Sequence, residues 1–268
     1  TASLTPVERH ETSHGSRYLG IEDMTFYGTT SGTTINWRRA MCCWVKNVDS
    51  RTNTTRFVQH NDSFFCEVRD SDFKFTVPGL GGVSYGISTS RRNSHCLFEN
   101  NYFDSVVIPI NLEETTGSVI GYNWATNHGG DPSANMLSGT IAANHAAHPA
   151  FNLFEGNSAS IFQADPTHGS SSHCAIYRNN FHGLHPYASN YVRLVDLCRG
   201  QWYWSISGNV LGHSSITWLD YILPFTAPGS SATRCIYRFG YPNEGNNTLG
   251  ASDWTSDTTP GANSNLVE

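Results

Sequence analysis

Histidines and carboxylates are concentrated between residues 145 and 185, a segment that holds six of the twelve histidines of the chain. Glu155, Asp165 and Arg178 lie in the same segment. Imidazole titrates near neutral pH and suits proton transfer, a guanidinium binds carboxylates, and paired carboxylates can hydrolyse glycosidic bonds. The segment could therefore carry out acid and base chemistry on a sugar. The six histidines are His145, His148, His168, His173, His182 and His185.

We predict four catalytic residues in this segment, Glu155, Asp165, His168 and Arg178. In a lyase, Arg178 would neutralise a uronate carboxylate while a base such as His168 or His148 removes the neighbouring proton. In a hydrolase, Glu155 and Asp165 would share the acid and base duties. A surface ion pair between Glu155 and Arg178, which contributes little to stability, is the third interpretation. The sequence leaves these alternatives open.

A short sequence motif recurs along the chain, and the elements that it forms must position these residues. It consists of an apolar pair, a polar residue and an Asn-type corner, as in Leu97-Phe98-Glu99-Asn100. The corners fall at positions 23, 47, 70, 100, 122, 156, 179, 208 and 239, so the steps range from 22 to 34 residues. A repeat of this length is typical of one coil of a solenoid.

The content of each repeat indicates strands rather than helices. Short runs of Val, Ile, Phe, Tyr and Cys alternate with Asn, Gly, Ser and Asp, and no segment keeps the apolar spacing of a helix. We therefore predict an all-β protein, a parallel β-helix of about eight to nine coils with long loops on one face. The register places Glu155 and Arg178 side by side on the outer face. The predicted inward stack is Val45, Val68, Phe98, Ile120, Phe154, Tyr177 and Ile206.

The seven cysteines are an odd number, so they cannot all form pairs with one another. Four of them, Cys43, Cys66, Cys96 and Cys235, share one register two residues before the inward stack. This predicts an internal ladder of free thiols, although a disulfide between neighbouring coils, from Cys42 or Cys43 to Cys66, stays open.

The longer steps of the repeat predict loops at 123–151, 182–192 and 212–234, where long insertions in a solenoid often form a binding face. We predict four substrate-binding residues beside these loops, His148, His185, Trp124 and Trp218, because imidazole and indole rings can contact sugars. Residues 1–17 are interpreted as an N-terminal cap or extension, 18–249 as the solenoid domain and 250–268 as an extended C-terminal tail.

Composition excludes several partners and cofactors. The net charge is −6 and only 14% of residues are charged, so we expect no nucleic-acid partner. No apolar run is long enough to span a membrane. His145 and His148 have ligand-like spacing, but no Cys pair or HExxH segment accompanies them. We predict no cofactor, and the carboxylates that could bind calcium follow no known loop signature.

The repeat phrases, together with residues 148–157, 165–169 and 177–179, resemble the pectate-lyase-like right-handed parallel β-helix superfamily, and in particular large secreted bacterial proteins within it. The resemblance covers roughly residues 18–245 and implies a single-stranded right-handed β-helix. Members are mostly polysaccharide lyases, polygalacturonase-type hydrolases, phage tailspikes and sugar epimerases. This chain lacks the WxDH-type segment and calcium carboxylates of pectate lyases. It also lacks the paired aspartates and Arg-x-Lys of polygalacturonases, so no catalytic residue is carried over.

The leading hypothesis is a secreted or cell-surface protein that binds a polysaccharide and cleaves it as a lyase or a hydrolase. The alternative is a non-catalytic spike, fibre or surface-filament subunit, which packs end to end or laterally with copies of itself. Whether the chain is an enzyme stays open at this point.

Overall fold

The computed structural model describes twelve stretches of the chain: 15–29, 32–53, 55–76, 84–128, 139–143, 145–146, 148–165, 169–184, 192–198, 200–216, 220–222 and 235–239. The predicted cap falls outside them except for residues 15–17, and the predicted tail falls outside them entirely. The described residues form strands and no helix. No helix capable of crossing a membrane therefore occurs among them.

The strands are short and follow one another along the chain. They are β1 (Gly20–Thr29), β2 (Thr33–Arg38), β3 (Trp44–Asn53), β4 (Arg56–Asn61), β5 (Glu67–Arg69), β6 (Asp72–Thr76), β7 (Tyr85–Ser90), β8 (Asn93–Ser94), β9 (Leu97–Glu99), β10 (Tyr102–Asp104), β11 (Ile108–Leu112), β12 (Thr115–Thr116), β13 (Val119–Gly121), β14 (Trp124–Thr126), β15 (Ile141–Ala143), β16 (Leu153–Glu155), β17 (Ser158–Ala159), β18 (Phe162–Ala164), β19 (Ala175–Tyr177), β20 (Asn180–Phe181), β21 (Arg193–Leu197), β22 (Ser205–Ser207), β23 (Val210–Leu211), β24 (Asp220–Ile222) and β25 (Cys235–Phe239).

These strands form three parallel sheets. One sheet has fourteen strands, with β22-β19-β16-β13-β9-β5-β3-β6-β10-β14-β17-β20-β23 in order and β1 paired with β3. The second has nine, in the order β2-β4-β7-β11-β15-β18-β21-β25-β24, and the third pairs β8 with β12. In most pairs each strand meets its counterpart in the next repeat, as Val45 meets Val68 and Val68 meets Phe98. The predicted all-β class with parallel strands is confirmed.

The apolar core lies between the sheets, on the inward face of each strand. Val45, Val68, Phe98, Ile120 and Phe154 have no exposed surface, as the alternation predicts. The prediction for β19 was wrong by one residue. Ile176 occupies the inward position beside Phe154, and Tyr177 lies outside next to Glu155. The reason is that Ala175-Ile176-Tyr177 offers two large apolar side chains, and sequence alone does not show which one faces inward.

A second inner row follows the position of Cys43, Cys66 and Cys96, which are buried and free. The predicted thiol ladder is confirmed for these three. Each donates a hydrogen bond to the carbonyl two residues earlier, at 3.5 to 3.6 Å. Cys235 does not belong to this row, because it pairs with Arg193 in the nine-stranded sheet. Cys174 belongs to it, with the same type of bond to Ser172 O at 3.3 Å.

Asparagines fill the corner after the outer strand position. In five successive repeats the side-chain oxygen of one Asn accepts a hydrogen bond from the backbone N–H of the equivalent residue in the preceding repeat. The row is Asn101, Asn123, Asn157, Asn179 and Asn209, and most of its members are buried. The amides thus satisfy backbone groups at a bend where strand pairing stops.

Candidate functional site

The predicted pair of Glu155 and Arg178 forms an ion pair on the outer face of the fourteen-stranded sheet. Arg178 is not aligned with Glu155, since it lies at a corner with φ of 53° and reaches back to Glu155 from there. Its guanidinium also lies 4.9 Å from the ring centroid of Tyr177. The Arg178 side chain is 57% exposed, so solvent screens much of the attraction. This geometry resembles a solvated surface pair.

The predicted Asp165 lies elsewhere, directly after β18 of the nine-stranded sheet. Its Oδ2 is 3.4 Å from His145 Nδ1. The structure therefore pairs Asp165 with a histidine, and it pairs Glu155 with an arginine on a different sheet.

The predicted binding residues are dispersed. His148 contacts two serine hydroxyls, Ser170 at 3.1 Å and Ser172 at 2.8 Å. Trp124 is 61% exposed on β14, with its ring edge-on to Tyr102. His168, His185 and Trp218 lie outside the described residues.

A three-residue cluster of Glu113, His145 and Asp165 is the best-developed acid–base group in the described part of the chain. Leu112 pairs with Ala143, and Ala143 pairs with Ala164, so Glu113 and Asp165 follow equivalent positions two repeats apart. Two strand spacings separate their backbones by about 10 Å. His145 follows the middle strand and interacts electrostatically with both carboxyl groups.

The environments of the two carboxyl groups differ. Burial raises the pKa of Glu113, while His145 and Arg56 counteract part of that effect. The contact with Asp165 raises the pKa of His145 above its usual value, against the opposing effect of burial. The cluster therefore holds one carboxyl group whose pKa is raised by burial and one that contacts a histidine whose own pKa is raised by that contact.

Polar groups from neighbouring strands surround Glu113. Asn111 Nδ2 donates to its Oε1 at 2.9 Å, and its backbone N–H donates to Thr89 Oγ1 at 2.8 Å. The Arg56 guanidinium lies 4.9 Å from the ring centroid of Tyr85. Burial, followed by the charge of Glu113, raises the pKa of Tyr85 to about 12. The hydrogen bond from Asn111 orients the Glu113 carboxyl group, and the bond to Thr89 fixes its backbone.

Sequence reasoning found Asp165 but missed Glu113 as a catalytic candidate. Glu113 lies outside the histidine-rich segment. The alignment of the repeats also rested on the recurring Asn-type corner, which does not mark the strand that precedes Glu113. Ile110, Ile141 and Phe162 occupy equivalent positions in successive strands. An alignment of the repeats on these three residues would have placed Glu113 opposite Asp165.

Among the described residues, no group of three or more His, Cys, Asp and Glu side chains is arranged to hold a metal ion. No protein-family model matches this chain, and no curated protein or solved structure matches it either. The function must therefore be argued from the site itself.

Proposed function

We propose that the protein is a glycoside hydrolase that acts on a polysaccharide, with Glu113 as general acid and Asp165 as general base. One observation carries the proposal. Two carboxyl groups stand two repeats apart, one with a pKa raised by burial and the other in contact with His145. Acid–base pairs of glycosidases have this asymmetry.

We infer that the three parallel sheets wind into a single-stranded right-handed β-helix. The order of strands supports this, since the chain visits the same sheets in each repeat and meets the preceding copy in parallel. Parallel neighbours joined through another strand need a crossover, and crossovers are right-handed in nearly all sheets. In a β-helix the cluster faces outward, where a polymer can reach it.

The proposed reaction inverts the anomeric centre. Glu113 donates its proton to the glycosidic oxygen as the bond from that oxygen to the anomeric carbon breaks. Asp165 accepts a proton from a water molecule whose oxygen forms the new bond to that carbon. Inverting enzymes place the two carboxyl groups about 6.5 to 9.5 Å apart, and two strand spacings put the backbones of Glu113 and Asp165 about 10 Å apart, close to that range. His145 is a positioning residue that orients Asp165.

The raised pKa of Glu113 also favours a hydrolase over a lyase. A polyuronate would bring further negative charge to Glu113 and Asp165, which already engage the neighbouring cations Arg56 and His145. A polymer substrate is too large to enter a cell, so we place the protein outside the cell or at its surface. We propose no cofactor for this reaction.

The test is a screen of purified protein against neutral, amino and acidic polysaccharides, following reducing ends and absorbance near 235 nm. We expect reducing ends without absorbance, and a loss of at least a hundredfold in kcat for Glu113→Gln and Asp165→Asn. Glu114→Gln is the matched control, because Glu114 adjoins Glu113 in the sequence and its carboxylate accepts an exposed hydrogen bond from the backbone N–H of Arg92 at 3.3 Å.

Two results would reject the hydrolase. Absorbance near 235 nm would indicate a lyase, and full activity of both variants would place the chemistry elsewhere. If no polysaccharide is cleaved and the protein sediments as long assemblies, the results would favour the fibre or surface-filament subunit instead.

A further inference from the structure

A row of rings runs along one corner of the repeats, where the backbone is left-handed. Each repeat contributes one residue to this corner row, and the eight φ angles lie between 52° and 64°. The residues just before them pair in parallel from one repeat to the next, which keeps the row in register. The corner row is Tyr18, Cys42, Phe65, His95, Gly117, Phe151, His173 and Tyr203.

Neighbouring rings in the corner row stack on one another. The ring centroids of Phe151 and His173 are 5.0 Å apart, and those of His173 and Tyr203 are 4.7 Å apart, with interplanar angles of 27° and 30°. Phe65 and His95 lie 5.1 Å apart. Because these rings cover each other's faces, a ligand that stacks on a ring face can enter only where the row is interrupted.

Cys42 and Gly117 carry no ring and so interrupt the row, and of the two it is Gly117 that has no side chain. It separates His95 from Phe151 by two strand spacings, about 10 Å, which leaves room for one ring about 4.8 Å from each. A Cβ atom placed on Gly117 would have the His95 ring as its nearest neighbour, at 3.5 to 3.7 Å, which is ordinary contact. The His95 ring therefore borders the gap closely on one side, and the slot lies between this ring and Phe151.

The slot continues as a trench across the outer face of β13. Its floor consists of Gly117 and Val119, which is 37% exposed, and it ends at Gly121, which is buried. A Cβ atom on Gly121 would meet its nearest neighbours only at 3.7 and 3.8 Å. We call this feature the Gly117 trench. Its walls, set by strand pairing, are His95, Leu97 and Glu99 on one side and Phe151, Leu153 and Glu155 on the other.

The far end of the Gly117 trench is acidic. Glu99 and Glu155 flank Gly121, and Glu155 is bound by Arg178. In the part of the chain that the structure describes, Glu99 adjoins Arg69 on the next strand without forming an ion pair with it. A carboxylate at this place accepts hydrogen bonds from hydroxyl or ammonium groups, and it repels a ligand carboxylate.

We propose that the Gly117 trench binds one pyranose ring that carries hydroxyl or ammonium groups and no carboxylate. The ring stacks between His95 and Phe151, and its donor groups point toward Glu99. This inference deepens the proposed function, since it rests on a saccharide substrate. Only three residues lie between Glu113 and Gly117 along the chain, so the trench holds a sugar unit near the bond that Glu113 protonates.

The test uses a substitution that places an aromatic ring in the slot. Gly117→Phe supplies a ring at the missing position, and the fold tolerates it because the other corner positions hold non-glycine residues at the same φ. We expect its thermal midpoint to stay unchanged or rise, while affinity for a glucosamine hexamer falls at least tenfold. Calorimetry in a Glu113→Gln background avoids turnover. Gly28→Phe is the matched control, since Gly28 is a left-handed glycine with nothing within 4 Å of its Cβ direction.

Further ligands and variants separate this inference from the proposed function. We expect the glucosamine hexamer to bind more tightly than a glucose hexamer, a galacturonate hexamer not to bind, and Glu99→Gln to reduce the preference for glucosamine. Binding that Gly117→Phe abolishes, with no cleavage by the unmodified protein, would support the trench and reject the hydrolase. Three results would overturn the trench. They are cleavage together with unchanged binding by Gly117→Phe, tighter binding of galacturonate than of the other hexamers, and no binding of any hexamer by the parent.

Discussion

The side-chain oxygen of Asn157 accepts two hydrogen bonds from Asn123, one from its backbone N–H at 3.0 Å and one from its amide Nδ2 at 2.9 Å. The amide Nδ2 of Asn157 donates in turn to Ile120 O and to Asn179 Oδ1, both at 2.9 Å. One buried amide therefore satisfies polar groups of the preceding and the following repeat, and the row acts as a continuous support for the corner.

We expect Asn157→Ala to lower the free energy of unfolding by about 2 to 4 kcal/mol, because it leaves several buried polar groups without partners. Urea denaturation followed by circular dichroism measures this. Asn100→Ala is the matched control, since the Asn100 amide bonds Asp70 at 2.8 Å in an exposed position. Its cost should be about 1 kcal/mol, which comes from placing alanine at a left-handed φ of 54°. Equal losses for the two variants would contradict a structural role of the row.

His60 is a buried histidine on β4 with neither ring nitrogen hydrogen-bonded within the described part of the chain. Its ring packs 5.4 Å from the ring of Phe98, and burial lowers its pKa to about 3. The unfolded chain binds a proton near pH 6.5, whereas the folded protein does so only near pH 3. Stability should therefore fall as the pH drops from about 6.5 toward 3.

We expect His60→Leu to stabilise the protein at pH 8, by about 1 to 3 kcal/mol, because two unsatisfied nitrogens are removed. The gain should be larger at pH 5, where the unfolded state of the parent protein is protonated. Urea midpoints at the two pH values test this, with the exposed His213→Gln as control. A gain that is the same at pH 8 and pH 5 would mean that His60 does not remain neutral in the folded protein.

The sequence predicted the architecture better than the site, and the residues explain why. Inner positions such as Val68 and Phe98 must be apolar, so they recur at a fixed spacing and reveal the strands. Outer positions carry no such constraint. The Glu155–Arg178 pair was predicted from an alignment that was wrong at Tyr177, and the contact forms only because an arginine side chain is long enough to reach back from the corner.

The acid–base cluster depends on the second sheet, whose strands carry no Asn corner. Glu113, His145 and Asp165 are brought together by pairing between β11, β15 and β18, and the steps between these strands differ in length. The Gly117 trench was equally hidden, because an absent side chain leaves no signal in a single sequence. Both sites become visible only when strand pairing is known.

Thiol reactivity offers a test of the inner cysteine row. Burial raises the pKa of Cys66 to about 12, of Cys96 to about 11 and of Cys174 to about 12, so these thiols are neither ionised nor accessible at pH 8. Cys42 is the one partly exposed cysteine among the seven. We expect one thiol to react rapidly with a disulfide reagent in the native protein and all seven to react in guanidinium.

The variant Cys42→Ser should remove the rapid phase and leave the remaining six thiols slow. Serine is a conservative choice there, because Cys42 contributes to the exposed corner row rather than to the core. A rapid phase that persists in this variant, or fewer than seven thiols in guanidinium without reductant, would contradict the assignment of free, buried thiols.

The buried Asp196 is held between two arginines on the nine-stranded sheet. Arg238 donates to both carboxylate oxygens, at 2.8 and 2.7 Å, whereas Arg193 Nε lies 3.0 Å from Oδ2 without hydrogen-bond geometry. Burial alone would raise the pKa of Asp196, but the two arginines hold it below its usual value. The charged Asp196 therefore stabilises the folded protein fully at pH values above the pKa that it has in the unfolded chain, near 4. This stabilisation is lost as the pH falls through the lower pKa that Asp196 has in the folded protein.

We expect Asp196→Asn to cost about 3 to 5 kcal/mol at pH 7, because it leaves two buried cations without their counter-ion. Arg238→Met should destabilise more than Arg193→Met, since Arg238 makes both hydrogen bonds to the carboxylate. Urea denaturation at pH 7 and pH 3 tests the series, and the difference between Asp196→Asn and the parent should shrink at pH 3, because this pH lies below the unfolded pKa and the unfolded parent then binds a proton at Asp196. Equal effects of the two arginine variants, or a difference that does not shrink at pH 3, would show that packing rather than charge pairing holds this group in place.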